Sequence, residues 1–205
     1  SMHLFARFSL LFALVAAPLA AQKDIGPVEL RYDLQTLSVK ISGSTPELEQ
    51  LAHTAFNAHG RYRRVADKAA FDLRFTQAGP NQVKVDVLKG GAAVLSQVAT
   101  GTSNRNALLK AADLAVKATS GLPGFFASRL AFISERTGKP EVHTGDLFFG
   151  EVRQITRDNA QAITPRWAPD GGRIVYTSYY KSGFPDIFLI DLGSLQRTTF
   201  VSFKG

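Results

Sequence analysis

Residues 155–192 read ITRDNAQAITPRWAPDGGRIVYTSYYKSGFPDIFLIDL, and this stretch decides the fold. Its centre, Pro165-Arg166-Trp167-Ala168-Pro169-Asp170-Gly171-Gly172, carries a short apolar segment into a turn whose residue types each serve a different backbone need. Pro169 presets φ, Asp170 can bond the local backbone, and Gly171 and Gly172 allow positive φ. Arg173-Ile174-Val175-Tyr176-Thr177-Ser178 then reads as a strand, and so does Asp186-Ile187-Phe188-Leu189-Ile190-Asp191 after a second turn marked by Gly183 and Pro185. Strand, turn, strand, turn and strand make an antiparallel meander.

The same pattern stands earlier in the chain. Arg129-Leu130-Ala131-Phe132-Ile133-Ser134 matches Arg173 to Ser178, and Asp146-Leu147-Phe148-Phe149 matches Asp186 to Leu189. The offsets, roughly 40 to 44 residues, are those of a β-propeller blade. Their mismatch assigns a longer hairpin loop, Glu135 to Gly145, to the first copy. Residues 129–205 are therefore expected to form an incomplete β-propeller of about one and a half blades.

Upstream the periodicity is mixed. Val28, Leu30, Tyr32 and Leu34 alternate with polar residues, as do Leu37, Val39 and Ile41, which predicts one bulged strand or two. Ser44-Thr45-Pro46-Glu47 opens a helix, either with Ser44 as cap and Glu47 closing a capping box or with Thr45 as cap and Pro46 in the first turn. Leu48, Leu51, Ala52, Ala55 and Phe56 form its buried stripe, and Gly60 ends it. Alternation around Phe71-Leu73-Phe75, Val83-Val85-Val87 and Ala92–Ala99 predicts three more strands. Asn104 or Asn106 starts a second helix, buried through Leu108, Leu109, Ala112, Ala115 and Val116 and stopped at Ser120-Gly121. The fold class is thus an α+β amino-terminal domain, residues 22–121, then a linker at 122–128, where Gly121-Leu122-Pro123-Gly124 frees the backbone, and then all-β structure.

Residues 1–21, SMHLFARFSLLFALVAAPLAA, have the order of a secretory signal: Arg7, an apolar run from Phe8 to Ala17, Pro18 and small residues. Cleavage is expected after Ala21, leaving a mature, exported, soluble chain with no membrane span. Arg7 is the one charged residue lost with the signal, so the net charge of +7 falls by one to +6. That charge is scattered. Its single cluster, Arg61-Tyr62-Arg63-Arg64, is too short for a nucleic-acid stripe and reads as solvated surface. The chain has no cysteine, which removes disulfides, thiolate nucleophiles and cysteine-ligated zinc.

Chemistry is sparse. No nucleophile elbow, P-loop, dinucleotide-binding glycine motif or H-E-x-x-H stands in the chain. His53 and His59 are six apart on one helix and do not share a face. Glu141, His143 and Asp146 come nearest to a ligand set but read as an exposed polar loop, so neither metal nor cofactor is expected. Asp170 reads as a turn former, and Trp167 and Tyr176 as packing between blades.

The run from Arg129 to Ser134, Ile155-Thr156-Arg157, Pro165 to Gly171, and then Tyr176, Ser178, Gly183, Pro185 and the Asp186–Asp191 strand together resemble the TolB family, periplasmic components of the Tol-Pal system of Gram-negative bacteria. Ala168 stands where that family usually has Ser, a small-for-small change. The stretch from Ala93 through the second helix to Arg129 also looks like the family's junction between domain and propeller. The resemblance implies a non-enzymatic protein-binding scaffold that serves outer-membrane integrity and cell division. It implies a propeller face for a Pal-like lipoprotein, and an amino-terminal contact for a TolA-like inner-membrane protein. The segment that takes the place of that contact includes Gln22, Lys23, Asp24, Ile25, Glu29 and Arg31. The resemblance further implies a six-bladed propeller and a monomer when full length, so the chain is expected to be a fragment. Residues 125–205 alone are expected to be unstable or to associate, because an unclosed propeller leaves strand edges and inter-blade faces in water. Similar blades also precede the catalytic domain of prolyl-oligopeptidase-like serine peptidases, the alternative reading; the hydrolase domain it needs has no counterpart in these residues.

Overall fold

The computed structural model describes residues 36–202. The expected signal peptide, the Val28–Leu34 alternation and the Gln22–Arg31 contact segment lie outside the described residues. Those residues carry a five-stranded sheet with two helices, then two antiparallel sheets of three and four strands.

The first sheet is β1 (Leu37–Gly43), β2 (Tyr62–Arg64), β3 (Phe71–Gly79), β4 (Gln82–Lys89) and β5 (Ala92–Thr100), in the order β2-β1-β3-β4-β5. β1 runs parallel to β2 and β3, while β3-β4-β5 is an antiparallel meander. Helix α1 (Pro46–Ala58) links β1 to β2, and α2 (Asn104–Ser120) follows β5. Of the two possible caps for α1, Thr45 is the one used: its Oγ accepts the Leu48 N–H, with Pro46 in the first turn. Helix α2 starts at Asn104, the first of the two expected positions, with Ser103 as its cap: the Ser103 hydroxyl accepts the Asn106 N–H at 3.0 Å. Gly121 closes α2 at φ +74°, the left-handed conformation that ends helices.

Every residue expected on the buried faces of the two helices is buried, against Val39, Leu73, Phe75, Val83, Val85 and Val87 of the sheet. The basic cluster is not simply solvated surface. Arg63 and Arg64 are exposed, but Tyr62 is buried, packs edge-on to Phe56 at 5.0 Å and shares a hydrogen bond of 2.7 Å with Thr119. The cluster is β2, a short edge strand that Tyr62 pins from beneath and whose cations keep the edge in water.

The second and third sheets are β6 (Arg129–Ser134), β7 (Glu141–Asp146) and β8 (Arg153–Gln154), then β9 (Ala162–Trp167), β10 (Arg173–Ser178), β11 (Asp186–Asp191) and β12 (Arg197–Val201). Each is an antiparallel meander, one three-stranded and one four-stranded, which is a partial β-propeller.

The internal match holds for β6 and β10 but shifts for the strand after each. Asp146-Leu147-Phe148-Phe149 is not a strand: Asp146 ends β7 and the chain turns there, with Phe149 at φ +56°. The strand is Glu141–Asp146, which takes in Glu141 to Gly145 of the expected loop. Arg129 pairs with Asp146 as Arg173 pairs with Asp191, and Ser134 pairs with Glu141 as Ser178 pairs with Asp186. His143 pairs with Gln154 as Phe188 pairs with Thr199. Arg129 to Arg173 is an offset of 44, whereas Glu141 to Asp186 and Gln154 to Thr199 are offsets of 45. The first hairpin loop, 135–140, is therefore one residue shorter than its counterpart at 179–185, not longer.

Candidate interaction faces

Residues directly opposite each other in a ladder share a face of the sheet. In the first blade, Ala131 with Thr144 and Ile133 with Val142 make one face, and Phe132 with His143 and Ser134 with Glu141 make the other. In the second, Ile174 with Ile190, Tyr176 with Phe188 and Ser178 with Asp186 share a face, and Val175 with Leu189 and Thr177 with Ile187 share the opposite one. The two blades meet through Ala131, Ile133 and Val142 on one side and Ile174, Tyr176, Phe188 and Ile190 on the other, in one apolar cluster with Ile155 and Ala162. Tyr176 and Phe188 are wholly buried, with ring centroids 5.6 Å apart. Trp167 packs against the same cluster under the Arg129 guanidinium, 4.2 Å from its ring, and Arg129 also donates to the Gly171 carbonyl at 2.6 Å. Both residues expected between blades are placed there.

A polar seam borders this cluster. The Thr156 hydroxyl donates to Glu141 and accepts the Val142 N–H at 2.9 Å; Glu141 also accepts the Asn159 N–H at 2.8 Å. Asp158 pairs with Arg197 at 2.6 Å and accepts the Ser178 hydroxyl at 3.1 Å. Burial, with Asp158 nearby, pushes the Tyr176 phenol far above its ordinary range, so it stays neutral. Glu141, His143 and Asp146 are buried on β7 rather than exposed in a loop, which corrects the earlier reading of their setting. Each is engaged separately: Glu141 with Thr156, His143 with the Glu141 carbonyl and stacked on Phe132, and Asp146 with Arg105. Among the described residues no group of three or more His, Asp or Glu is arranged to hold a metal ion. His53 lies 3.9 Å from Glu49, while His59 caps α1 and stacks on Phe125. Burial lowers the His59 pKa.

Helix α2 is fastened to the first blade and to the segment before it by three contacts that sequence reading missed. Arg105 makes a two-pronged pair with Asp146 at 3.0 and 3.1 Å, Ser103 bonds Glu151, and Asp113 accepts the N–H groups of Phe126 and Ala127 at 2.6 and 3.0 Å. Burial opposes the Asp146 charge, but Arg105 and the Phe148 and Glu151 N–H groups outweigh it and lower the pKa. At Asp113 burial wins over its two N–H donors and the pKa is raised. Residues 122–128, read as a linker, are anchored here, with Phe126 buried in the core of the first sheet. Asp170 does what its place in the turn predicts: it accepts the Gly172 N–H at 2.8 Å and pairs with Arg173. Of the two glycines beside it, Gly171 alone takes positive φ.

Two faces are only partly covered by the described residues. On the first blade Phe132, His143, Phe149, Val152 and Gln154 line a hollow of about 320 Å³, with Phe149 and Val152 exposed. On the second, Val175, Ile187 and Leu189 are only half-buried and Val201 is exposed. The class defined is an α+β domain docked on the opening blades of a β-propeller.

No family model matches the chain. It is similar to curated proteins named Tol-Pal system protein TolB: 37% identical over 101 residues to that of Roseobacter denitrificans (47% of this chain, 22% of that protein) and 31% identical over 106 residues to that of Azoarcus sp. (52% and 25%). To that of Desulfotalea psychrophila it is 28% identical over 145 residues, 70% of this chain and 31% of the relative. The matches thus span about a fifth to a third of these relatives' lengths. The crystal structure of TolB from Acinetobacter baumannii superposes with a TM-score of 0.70 over 83% of this chain and 51% of that one; at 19% identity this is a likeness of fold. The resemblance to TolB read from the sequence is borne out over the amino-terminal domain and the start of the propeller. Among the described residues no helix is long and apolar enough to cross a membrane.

Proposed function

We propose that the chain serves as a non-enzymatic, periplasmic protein-binding scaffold of the Tol-Pal system, acting in outer-membrane integrity and cell division. The observation that carries this reading is the likeness to TolB, in sequence over about half of the chain and in fold over 83% of it. In this reading residues 22–121 form a partner-facing domain, residues 122–128 join it to the blades, and 129–205 contribute to a propeller face for a Pal-like lipoprotein. The segment containing Gln22, Lys23, Asp24, Ile25, Glu29 and Arg31 contacts a TolA-like inner-membrane protein. Export through residues 1–21 delivers the chain to that compartment. No observation favours the peptidase alternative.

The test is affinity capture of the chain with a Pal-like lipoprotein and, separately, with a TolA-like protein at low salt. Capture of both is expected, with loss of the TolA-like partner alone when residues 22–32 are deleted. Failure of both partners to bind overturns the reading.

A further inference from the structure

In the first sheet β2 stops short of its neighbour. It pairs with Leu37 to Val39 only, while β1 runs on to Gly43. The hydrogen bonds fix which groups of β1 turn to that side. The Leu37 N–H donates to the Arg61 carbonyl and the Val39 carbonyl accepts the Val65 N–H, whereas the Ser38 carbonyl accepts the Ala70 N–H on the β3 side. By alternation Ile41 and Gly43 are the next two residues turned toward β2, and no strand lies opposite them. Helix α1 answers one of the two: the Gly43 N–H donates to the Glu49 carboxylate at 3.2 Å, and the other oxygen of that carboxylate lies 3.9 Å from His53 Nε2. Two residues back along the same edge, Ile41 walls a hollow of about 400 Å³ lined also by Lys40, His53, Arg64, Val65 and Ala66. Arg64 stands opposite Val39, which is buried against α1, so Arg64 shares the face on which His53 lies. Arg64 and Lys40 are exposed, and neither makes an ion pair among the described residues.

We propose that this notch binds a carboxylate carried on an acidic segment of a partner protein, held between Arg64 and His53 and against the Ile41 N–H. Two observations carry it. The chain supplies a precedent, because Glu49 already sets a carboxylate between His53 and a β1 N–H at the neighbouring position. Charge agrees, because the lining of the hollow brings two fixed cations and no acid, and the planar fork of Arg64 matches a carboxylate in geometry. All these groups belong to the first domain, so the site stands independently of the propeller and of the Tol-Pal reading.

Titration of the isotope-labelled full chain with a blocked tetraglutamate peptide, followed through amide NMR shifts, tests it. Saturable shifts are expected at Ile41, Arg64 and Val65, with none from the uncharged tetraglutamine peptide. Arg64→Gln, at an exposed position that the fold does not need, is expected to weaken binding about tenfold through loss of a charge-assisted contact. His53→Gln, which can still donate a hydrogen bond, should weaken it less. Lys117→Gln removes an exposed cation of α2 that does not line the hollow and should leave binding unchanged. Absence of saturation, binding that survives Arg64→Gln, an equal loss from Lys117→Gln, or tighter binding of inorganic phosphate than of the peptide overturns the proposal.

Discussion

Ahead of β10 the chain turns through Pro169 to Gly172 and caps the turn from within, Asp170 accepting the Gly172 N–H. Ahead of β6 the counterpart residues, Phe125 to Ser128, contain no carboxylate, and Asp113 reaches in from α2 to accept the Phe126 and Ala127 N–H groups. The ends of β7 and β11 differ in the same way. Asp191 bonds Gly193 and Ser194 of its own turn, while Asp146 bonds its own turn and also holds Arg105 of the helix. One repeat thus appears twice, once self-sufficient and once finished by its neighbour. Side chains lent by α2 are how this chain fastens the turn before β6 and the end of β7.

The strongest way to break that comparison is at the paired positions Phe188 and His143. Phe188 is wholly buried in an apolar setting between Tyr176 and Tyr180, whereas His143, also buried, stacks on Phe132 beside the hollow. Phe188→Ala is expected to destabilise by about 4 kcal/mol, through lost burial and the cavity left behind. His143→Ala should cost about 1 kcal/mol. Denaturant melts of both variants measure the difference, and equal losses would mean that the hollow beside His143 gives it no room to relax.

Next in size is Asp146. Removing it leaves Arg105 half-buried without its partner and frees the Phe148 and Glu151 N–H groups, so Asp146→Ala should cost about 3 kcal/mol. Asp191→Ala should cost clearly less, since its partners lie in an exposed turn. The pH dependence follows from the direction of the shift. The Asp146 pKa is lowered on folding, so its contribution is complete above the ordinary carboxylate range and is lost as pH falls through the folded value. Asp146→Asn should therefore flatten part of the acid limb of a melting-temperature profile, and an unchanged limb would contradict it.

These contrasts also explain what the sequence could reveal. The strands β6, β9, β10 and β11 and both helix stripes are legible because alternation or helical spacing survives in each. β7 is not: Glu141-Val142-His143-Thr144-Gly145-Asp146 buries polar groups by pairing them with Thr156, Asn159 and Arg105, and those partners lie 15 to 41 residues away. With its alternation hidden, the nearby Asp146-Leu147-Phe148-Phe149 imitates Asp186-Ile187-Phe188-Leu189 and draws the match five residues late. β2 is hidden by its two arginines and the Arg61 before them, and Tyr62 alone carries its buried side. The fastening of α2 left no local signal, because Arg105 and Asp113 look like ordinary polar positions on a helix until the first blade arrives.

Capping by α2 supplies the next contrast. Asp113→Ala removes the acceptor of two N–H groups beside buried Phe126 and should cost about 2 kcal/mol. Asp170→Ala should cost less, because water can replace the carboxylate in that exposed turn. Thermal melts compare the two, and a larger loss at Asp170 would reverse the borrowed and self-made assignments.

The smallest expected effect separates the turns themselves. Gly171 takes φ +66°, a conformation that costs a residue with Cβ about 1 kcal/mol, and open space surrounds the position a Cβ would take. Gly171→Ala should therefore lower stability by about that amount through backbone strain alone. Its counterpart Ala127 is not among the described residues with left-handed φ, so the first blade does not need glycine there. Ala127→Gly should still lower stability, by about 0.5 kcal/mol, because it adds freedom to the unfolded chain and gains nothing in the folded one. In the double variant the sites are separate and the losses should add. Stabilisation by Ala127→Gly would show that the first turn strains toward the second blade's geometry and that Asp113 holds it there against that strain.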